Sequence, residues 1–480
     1  MWKVTKEAGI PIYRSIMQLI IQKIQQGDLL PGEKLPPERT LAEKLGVNRS
    51  TVVHALDELA ADGVVIRRQG SGTQVNEGKW GLTLEARTDW HQYLSHAMLS
   101  PKNAYQQKIE QILKGPACAE YLDLYTGELP LDLIPSFSLP MGSWKDFLNE
   151  EKHQDELGYL PLRAAISRRL AEKFALDILP KELLITSGAQ QALLLLIQSL
   201  LSQGDAVAIE DPSFFYALPI FQAAGIRLFA VPLDDEGIDL AALEHVILKH
   251  RVKMVLVNPN FQNPTGKLMS LLRRKNLVEL CRKFALPIVE DDAFNELYFS
   301  AAPLPTLKSL APDSVLYVGS FSKTLGATTK IGWLAAPRPV IQKLADARQL
   351  MDQEVSVFPQ VLAAMALNDP TFEQKVVQLR QRLKTRAAGA AAVCRTFSHW
   401  HFYTPAGGYY LWLFQKSGRL TPVQMEQAVD CRLLVAPSYQ FGTNRRAIRL
   451  NFARIAHDQL PTFKERMQQL LTLWDQTGRN

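Results

Sequence analysis

The feature that most constrains the fold is an alternation of apolar runs and helical segments between residues 183 and 320. Short apolar runs such as ELLITSG, MVLVNPN and LPIVEDDAF predict buried strands. Longer segments such as QQALLLLIQSLLSQG and SLLRRKNLVELCRKFA predict helices. Strands that alternate with helices predict an α/β fold with a mainly parallel sheet covered by helices. Ligands of such folds bind beyond the carboxyl ends of the strands.

Unusual polar residues stand at these strand ends. Lys323 lies in GSFSKTLG after an apolar strand, Asp291 ends the strand in IVEDDAF, and Asn263 lies in the loop NPNFQNPTG. The loop 187–190 opens a helix, where free backbone N–H groups and the helix dipole favour an anion such as phosphate. The further candidates in these loops are Ala189, Gln190, Ser320, Ser322 and Phe214.

A lysine amine, a buried carboxylate, an amide, an aromatic face and an anion pocket together suit pyridoxal 5′-phosphate. Lys323 would form the Schiff base, and Asp291 would keep the pyridine nitrogen protonated so that the ring accepts electrons. Each feature is weak alone, because a lysine near a strand end is usually a surface residue and an Asn-Pro pair is usually a turn. The prediction rests on their order and spacing.

The first 75 residues have a different pattern. They predict a helix over residues 11–26, a short helix in ERTLAEKLGV that ends at Gly46, and a third helix with Asn48 as its N-cap. Two helices joined by a short glycine-containing turn form a helix-turn-helix, and VVIRRQGSGTQV predicts the two strands of a wing. A three-helix packing module without DNA binding is the alternative interpretation. The residues of the third helix that we expect to face inward are Val52, Ala55, Leu56 and Leu59.

Composition and charge narrow the class of protein. A chain of 480 residues, of which 47% are hydrophobic and 21% charged, predicts a soluble protein of two or three domains. The net charge of +6 neither requires nor excludes a nucleic-acid partner. The four cysteines are scattered without a Cys-x-x-Cys pair, so we expect neither disulfides nor a metal site. No signal-peptide core or membrane-length apolar stretch occurs, so we expect a cytoplasmic location and no membrane partner.

The string LPPERTLAEKLGVNRSTVVHALDELAADGVVIRRQGSGTQV resembles the winged helix of GntR-family transcription factors almost throughout. One residue departs from that pattern, because Val53 stands where the family often has an arginine, which removes one contact to DNA. Acidic and basic residues are nearly balanced in this region, so the prediction of a double-stranded DNA partner rests on the pattern. By this resemblance the residues at DNA are Arg39, Arg49, Ser50, Thr51, Gln69 and Gly70.

The motifs SGAQQAL, EDPSFF, NPNFQNPTG, EDDAFNEL, SFSKTLG, PAGGYYLW and IRLNFA resemble the signposts of fold-type-I aminotransferases over roughly residues 120–475. The resemblance implies a pyridoxal-phosphate domain with a small C-terminal α+β subdomain. It also implies that Asn263 hydrogen-bonds the ring hydroxyl of the cofactor and that Phe214 stacks on the ring. Arg449 would bind a substrate carboxylate, which a guanidinium fork does well.

Three positions depart from the aminotransferase pattern. Lys330 replaces an arginine that grips the phosphate, and it keeps the charge but loses the bidentate fork. Phe294 replaces a tyrosine that shares the ring hydroxyl with the asparagine. His153 stands where a tyrosine usually reaches the cofactor phosphate of the neighbouring subunit. We interpret these changes as a retained cofactor site with less catalytic tuning.

A GntR-type head before an aminotransferase-like body resembles the MocR subgroup of GntR regulators, which are dimeric. We expect the head over residues 1–76, a connector over 77–115 and the body over 116–480. The first hypothesis is a transcription regulator that senses an amino compound or a vitamer through the old active site. The second is a working aminotransferase that carries a DNA-binding module, and the third is a scaffold that has lost its cofactor.

Overall fold

The computed structural model describes residues 2, 11–25, 28–30, 32–68, 72–76, 103–138, 142–299, 303–351, 354–416 and 418–477. The chain forms two compact units, residues 1–98 and 99–480, which we call the head and the body. Each unit has its own hydrophobic core.

The described part of the head is a three-helix unit followed by a hairpin. Its elements are α1 (Ile12–Gln25), α2 (Glu38–Leu45), α3 (Arg49–Ala61), β1 (Val65–Arg68) and β2 (Gly72–Val75). The two strands pair antiparallel. Gly46 ends α2 at φ 63°, a left-handed conformation that glycine adopts without strain.

The third helix packs as its sequence predicts. The inward-facing side chains of α3 are buried, and they contact apolar residues of α1 in one core. Asn48 occupies the N-cap position with extended backbone, but its side chain makes no capping hydrogen bond. The outer face carries Arg49, Ser50 and His54, which are exposed. The buried residues are Val52, Ala55, Leu56 and Leu59.

The body is built on a seven-stranded sheet, as the alternating pattern predicts. Its strand order is β6-β12-β11-β10-β9-β7-β8, and β12 alone runs antiparallel to its neighbours. The strands are β6 (Leu183–Thr186), β7 (Ala206–Asp211), β8 (Arg227–Pro232), β9 (Met254–Val257), β10 (Ile288–Asp291), β11 (Val315–Ser320) and β12 (Gly332–Ala335). Every residue of β10 and β11 is buried, because helices cover both faces of the sheet.

A smaller four-stranded antiparallel sheet, of order β13-β14-β17-β16, lies near the C terminus. Its strands are β13 (His401–Phe402), β14 (Tyr410–Phe414), β16 (Ala436–Pro437) and β17 (Ala447–Asn451). This sheet and the helices that pack on it form the small C-terminal subdomain that the sequence predicts. The short strands elsewhere are β3 (Leu122–Asp123), β4 (Gln154–Asp155), β5 (Gly158–Tyr159) and β15 (Leu433–Leu434).

The helices of the body complete the layers around the two sheets. They are α4 (Ala104–Lys114), α5 (Trp144–Glu150), α6 (Leu160–Phe174), α7 (Gly188–Leu200), α8 (Pro219–Ala223), α9 (Leu240–His250), α10 (Leu271–Lys283), α11 (Leu307–Leu310), α12 (Arg338–Leu350), α13 (Val357–Asn368), α14 (Phe372–Cys394), α15 (Pro422–Asp430) and α16 (Leu460–Thr477). The first of these, α4, buries Tyr105 and Ile109 in the core of the small subdomain. The Tyr105 hydroxyl donates to the carbonyl of Val435 at 2.7 Å.

Candidate functional site

The sheet brings the predicted site residues to one edge. Asp291 is the last residue of β10, and Lys323 follows β11 by three residues. The loop after β9 carries Asn263, and the short 3-10 turn after β7 begins at Phe214. Because these four strands are parallel, their carboxyl ends lie side by side, which is where α/β folds bind ligands.

Lys323 is half-buried beside a carbonyl and two aromatic rings. Its Nζ donates to the carbonyl oxygen of Gly127 at 2.9 Å. The same Nζ lies 5.5 Å from the ring centroid of Phe294 and 5.6 Å from that of Tyr409. The lysine therefore points into an aromatic site, and its partner is a neutral oxygen.

Asp291 is a buried carboxyl close to that lysine. Burial raises its pKa to about 6, although the amide of Ala293 and the charge of Lys323 both act in the opposite direction. The Ala293 N–H donates to Oδ1 at 3.3 Å. A carboxylate held in this way gains stability from any cation that is placed against it.

Arg449 of β17 joins the small subdomain to the large sheet. Its Nη1 donates to Oδ1 of Asn263 at 3.1 Å, and its Nη2 donates to the carbonyl of Tyr125 at 2.8 Å. The guanidinium carbon lies 4.2 Å from the ring centroid of Tyr410 and 4.9 Å from that of Phe441. The buried Nε has no hydrogen-bond partner among the residues that the structure describes. A buried cation with one free N–H is suited to an anionic ligand.

Backbone and side-chain bonds hold the loops around the site. Phe214 is half-buried, and its N–H donates to the carbonyl of Asn263 at 2.9 Å. The buried Asn258 side chain donates to the carbonyl of Asp291 at 2.6 Å and accepts from the amide of Asn263 at 2.7 Å. One amide therefore links the loops that carry two predicted cofactor contacts.

The region that the sequence predicts to bind an anion is the N-terminus of α7. Ala189 is half-buried and Gln190 exposed in its first turn, directly after β6. A Cβ on Gly332 would lie 2.5 Å from the carbonyl carbon of Gly188, so only glycine lets β12 pass so close beneath this turn. The helix N-terminus is therefore held close against β12, and the first N–H groups of a helix have no intrahelical partners.

Ser320 is the last residue of β11, and Ser322 and Lys330 follow the strand. Ser320 is buried, and its hydroxyl donates to the carbonyl of Ile331 at 3.1 Å and accepts from the amide of Ser322 at 3.2 Å. Lys330 is exposed and has a left-handed φ of 45°. His153 is exposed in the 3-10 turn Glu151–His153. The cofactor roles of these residues stay predictions.

The described residues that we predict to contact DNA lie on α2, which carries Arg39, and at the start of α3. Arg39, Arg49 and Ser50 are exposed, and Thr51 is half-buried. The guanidinium of Arg49 donates twice to Oε2 of Glu38, at 3.2 and 2.9 Å. Predicted contacts at Gln69 and Gly70 lie outside the described residues.

A polar group near Lys323 was missed by the sequence analysis. The Gly127 carbonyl oxygen, which accepts a hydrogen bond from Lys323, also accepts hydrogen bonds from the hydroxyls of Tyr409 at 3.0 Å and Tyr410 at 3.2 Å. The motif PAGGYYLW indicated the family but gave no role to these tyrosines. Gly127 is nearly 200 residues from Lys323 in the chain, and no local pattern connects the two.

Neither a metal centre nor a membrane span is found in the part of the chain that the structure describes. No group of three or more His, Cys, Asp or Glu residues in the described ranges is arranged to hold a metal ion. Among the same residues, no helix is long and apolar enough to cross a bilayer.

Comparisons with known proteins divide the chain in the same way. The family model described as "Aminotransferase class I and II" matches residues 120–467, and the model "Bacterial regulatory proteins, gntR family" matches residues 12–75. The uncharacterized HTH-type transcriptional regulator YisV of Bacillus subtilis is similar, with 34% identity over 96% of each chain. The HTH-type transcriptional regulator NorG of Staphylococcus aureus is 28% identical over 88% of this chain and 95% of its own.

Solved structures resemble the body. Kynurenine aminotransferase from Pyrococcus horikoshii, in complex with PMP, has a TM-score of 0.70 and 26% identity over 80% of this chain and 98% of that chain. The α-aminoadipate aminotransferase LysN from Thermus thermophilus has a TM-score of 0.67 and 28% identity over 80% of this chain and all of that chain. The predicted fold class is confirmed: a GntR-type head precedes a fold-type-I aminotransferase body.

Proposed function

Because this chain belongs to the GntR-family regulators of the MocR type, in which an aminotransferase class I and II body follows a winged helix, we propose that it is a DNA-binding transcription regulator that holds pyridoxal 5′-phosphate on Lys323. The observation that carries the proposal is the convergence of Lys323, Asp291, Asn263 and Arg449 at one edge of the sheet. Relatives that are named as regulators match this chain through both units.

The donor set fits this cofactor. Lys323 offers the amine for the aldehyde, and the buried Asp291 offers a negative charge for the ring nitrogen. The first turn of α7, with Ala189 and Gln190, offers N–H groups for the phosphate, beside Ser320 and Ser322. Bound there, the cofactor supplies an aldehyde that reacts with amines and a ring that accepts electrons.

The effector is an amino compound or a vitamer. Arg449 is the residue that would bind a carboxylate, because its buried guanidinium stacks on two rings and has an unpartnered Nε. Such an effector competes with Asn263 and the Tyr125 carbonyl for the guanidinium. A regulator responds only when its ligand binds two states with different affinity, and this exchange of partners is the proposed source of the difference.

A working aminotransferase is the second candidate, and the similarity of the body to aminotransferases of known structure favours it. Against steady turnover stand Phe294, which has no hydroxyl to tune the cofactor, and the exposed Lys330. We therefore place the chain among regulators rather than enzymes. We also propose that the protein is a homodimer in which His153 approaches the cofactor of the partner. A cytoplasmic location belongs to the same proposal, because the operator lies there.

Spectroscopy and DNA binding on one preparation test the function. The purified protein, loaded with pyridoxal 5′-phosphate, is titrated with a panel of amino acids, amines and vitamers while its absorbance and its affinity for operator DNA are measured. We expect at least one compound to change both. Ordinary turnover with a 2-oxo acid, together with a DNA affinity that no compound alters, would refute the regulator proposal in favour of the enzyme.

A further inference from the structure

The carbonyl oxygen of Gly127, which accepts a hydrogen bond from Lys323, has more hydrogen-bond donors around it than lone pairs. The carbonyl oxygen of Gly127 accepts Nζ of Lys323 at 2.9 Å, the hydroxyl of Tyr409 at 3.0 Å and the hydroxyl of Tyr410 at 3.2 Å. A carbonyl oxygen has two lone pairs, so two donors satisfy it. The lysine is therefore the donor that this oxygen can lose without being left unsatisfied.

The two tyrosines are fixed where they stand. Tyr409 is fully buried and Tyr410 is 2% exposed. Their rings contact each other edge to face, with centroids 4.8 Å apart, and both pack edge to face on Phe294. Burial raises the pKa of Tyr409 well above its ordinary value, and the Tyr410 phenol acts in the same direction, partly through a hydrogen bond between the two hydroxyls. The Tyr409 hydroxyl therefore keeps its proton.

Gly127 itself is held on the small subdomain. Asn451 of β17 donates to the carbonyls of Thr126 and Glu128, the two residues on either side of Gly127, at 2.7 and 2.9 Å. A Cβ at Gly127 would lie 2.9 Å from the Tyr410 hydroxyl, so the bare backbone is needed for this close approach. The carbonyl therefore points at Lys323 from a fixed position.

Building on the proposed function, we propose that Tyr409 and Tyr410 are positioning residues for Lys323. They fix the Gly127 oxygen that holds the amine, and they keep that oxygen satisfied after the amine has left it to react with an aldehyde. In that reaction the nitrogen lone pair of the neutral amine bonds to the aldehyde carbon, a C=N bond replaces C=O, and the oxygen leaves as water with two hydrogens from the nitrogen.

The two forms of the cofactor should differ in how far their binding depends on the two phenols. Pyridoxal 5′-phosphate takes the lysine away from Gly127, whereas pyridoxamine 5′-phosphate has an amine in place of the aldehyde and leaves the lysine free to stay. Without the phenols, departure of the lysine leaves a half-buried carbonyl oxygen without a donor, which is costly. The phenols should therefore matter for the aldehyde form and not for the amine form.

The experiment compares wild type with Tyr409→Phe, Tyr410→Phe and the double variant, each of which keeps the rings. Covalent attachment is measured as the fraction of chain fixed by borohydride at increasing pyridoxal 5′-phosphate, and pyridoxamine 5′-phosphate affinity is measured by calorimetry. We expect the double variant to need on the order of tenfold more aldehyde, with smaller losses in the single variants. Affinity for the amine form should be unchanged.

A matched control is available in the same unit. Tyr105→Phe also removes a buried phenol that donates to a backbone carbonyl, that of Val435. It should leave attachment of the aldehyde unchanged, and thermal unfolding shows whether each variant is folded. An equal loss for both cofactor forms, or no loss for either, overturns the inference. A wild-type protein that binds neither form overturns the proposed function itself.

Discussion

Replacing Asp291 by asparagine should raise the free energy of unfolding of the cofactor-free protein. The same substitution should lower the affinity for the cofactor. The carboxyl is buried, and that burial raises its pKa from 3.8 to about 6. Two pKa units correspond to about 3 kcal/mol, which is the net free energy by which the site disfavours the charged form after the opposing effects of the Ala293 amide and Lys323. Asparagine has nearly the same shape and no charge, so it is free of this cost.

The sign of the pH dependence follows from the raised pKa. Because the folded protein binds this proton more tightly than the unfolded chain, the wild type loses stability as pH rises from about 4 to about 6. Above that window the full cost is present. Asp291→Asn should therefore unfold at higher urea concentration than the wild type at pH 7, by up to about 3 kcal/mol, and the difference should vanish near pH 4.

Cofactor binding should change in the opposite direction. A protonated ring nitrogen beside Asp291 restores the stability of the carboxylate, so its loss should weaken pyridoxal 5′-phosphate binding on the order of a hundredfold. The control is Glu210→Gln, which removes a second buried carboxyl whose pKa burial raises to about 8 and which is therefore already neutral at pH 7. Equal cofactor affinity in Asp291→Asn and the wild type would show that Asp291 does not face the ring nitrogen.

Three further predictions concern single residues. Lys323→Ala should fold and lose the adduct that borohydride fixes on the wild type; an unchanged adduct, located by peptide mapping, would place the attachment on another lysine. Arg49→Ala should weaken operator binding by about 1–3 kcal/mol and flatten its salt dependence without changing the cofactor spectrum, and unchanged affinity would remove α3 from the DNA interface. Arg449→Ala should abolish the effect of a carboxylate effector on DNA binding and keep basal operator affinity, whereas a retained response would move the carboxylate site elsewhere.

Much of the fold could be predicted because local patterns specify it. The strands of the large sheet are continuous apolar runs, and Asp291 and Lys323 stand at strand ends, which a linear sequence shows directly. Parallel pairing then brings the ends of distant strands together, so the convergence of these residues could be inferred from the sequence alone. The winged helix was predicted from the spacing of the apolar residues in α3 and from its glycine-rich hairpin.

The contacts inside the site could not be predicted in the same way. The pairing of Arg449 with Asn263 joins the small subdomain to the large sheet, and no sequence spacing specifies such a contact. The convergence of Tyr409 and Tyr410 on Gly127 depends on how the segment around Gly127 packs on β17. Asn48 shows the same limit within one helix. Residue preference predicted its N-cap position, but it could not predict whether its side chain would accept a hydrogen bond from the first turn of α3.

The packing of α4 has a mechanical consequence. Tyr105 and Ile109 are buried in the core of the subdomain that carries Arg449, and the Tyr105 hydroxyl donates to the carbonyl of Val435 in the same subdomain. The first described helix of the body is therefore attached to the small subdomain and not to the large sheet. A rotation of this subdomain relative to the large sheet would carry α4 along as part of one rigid lever.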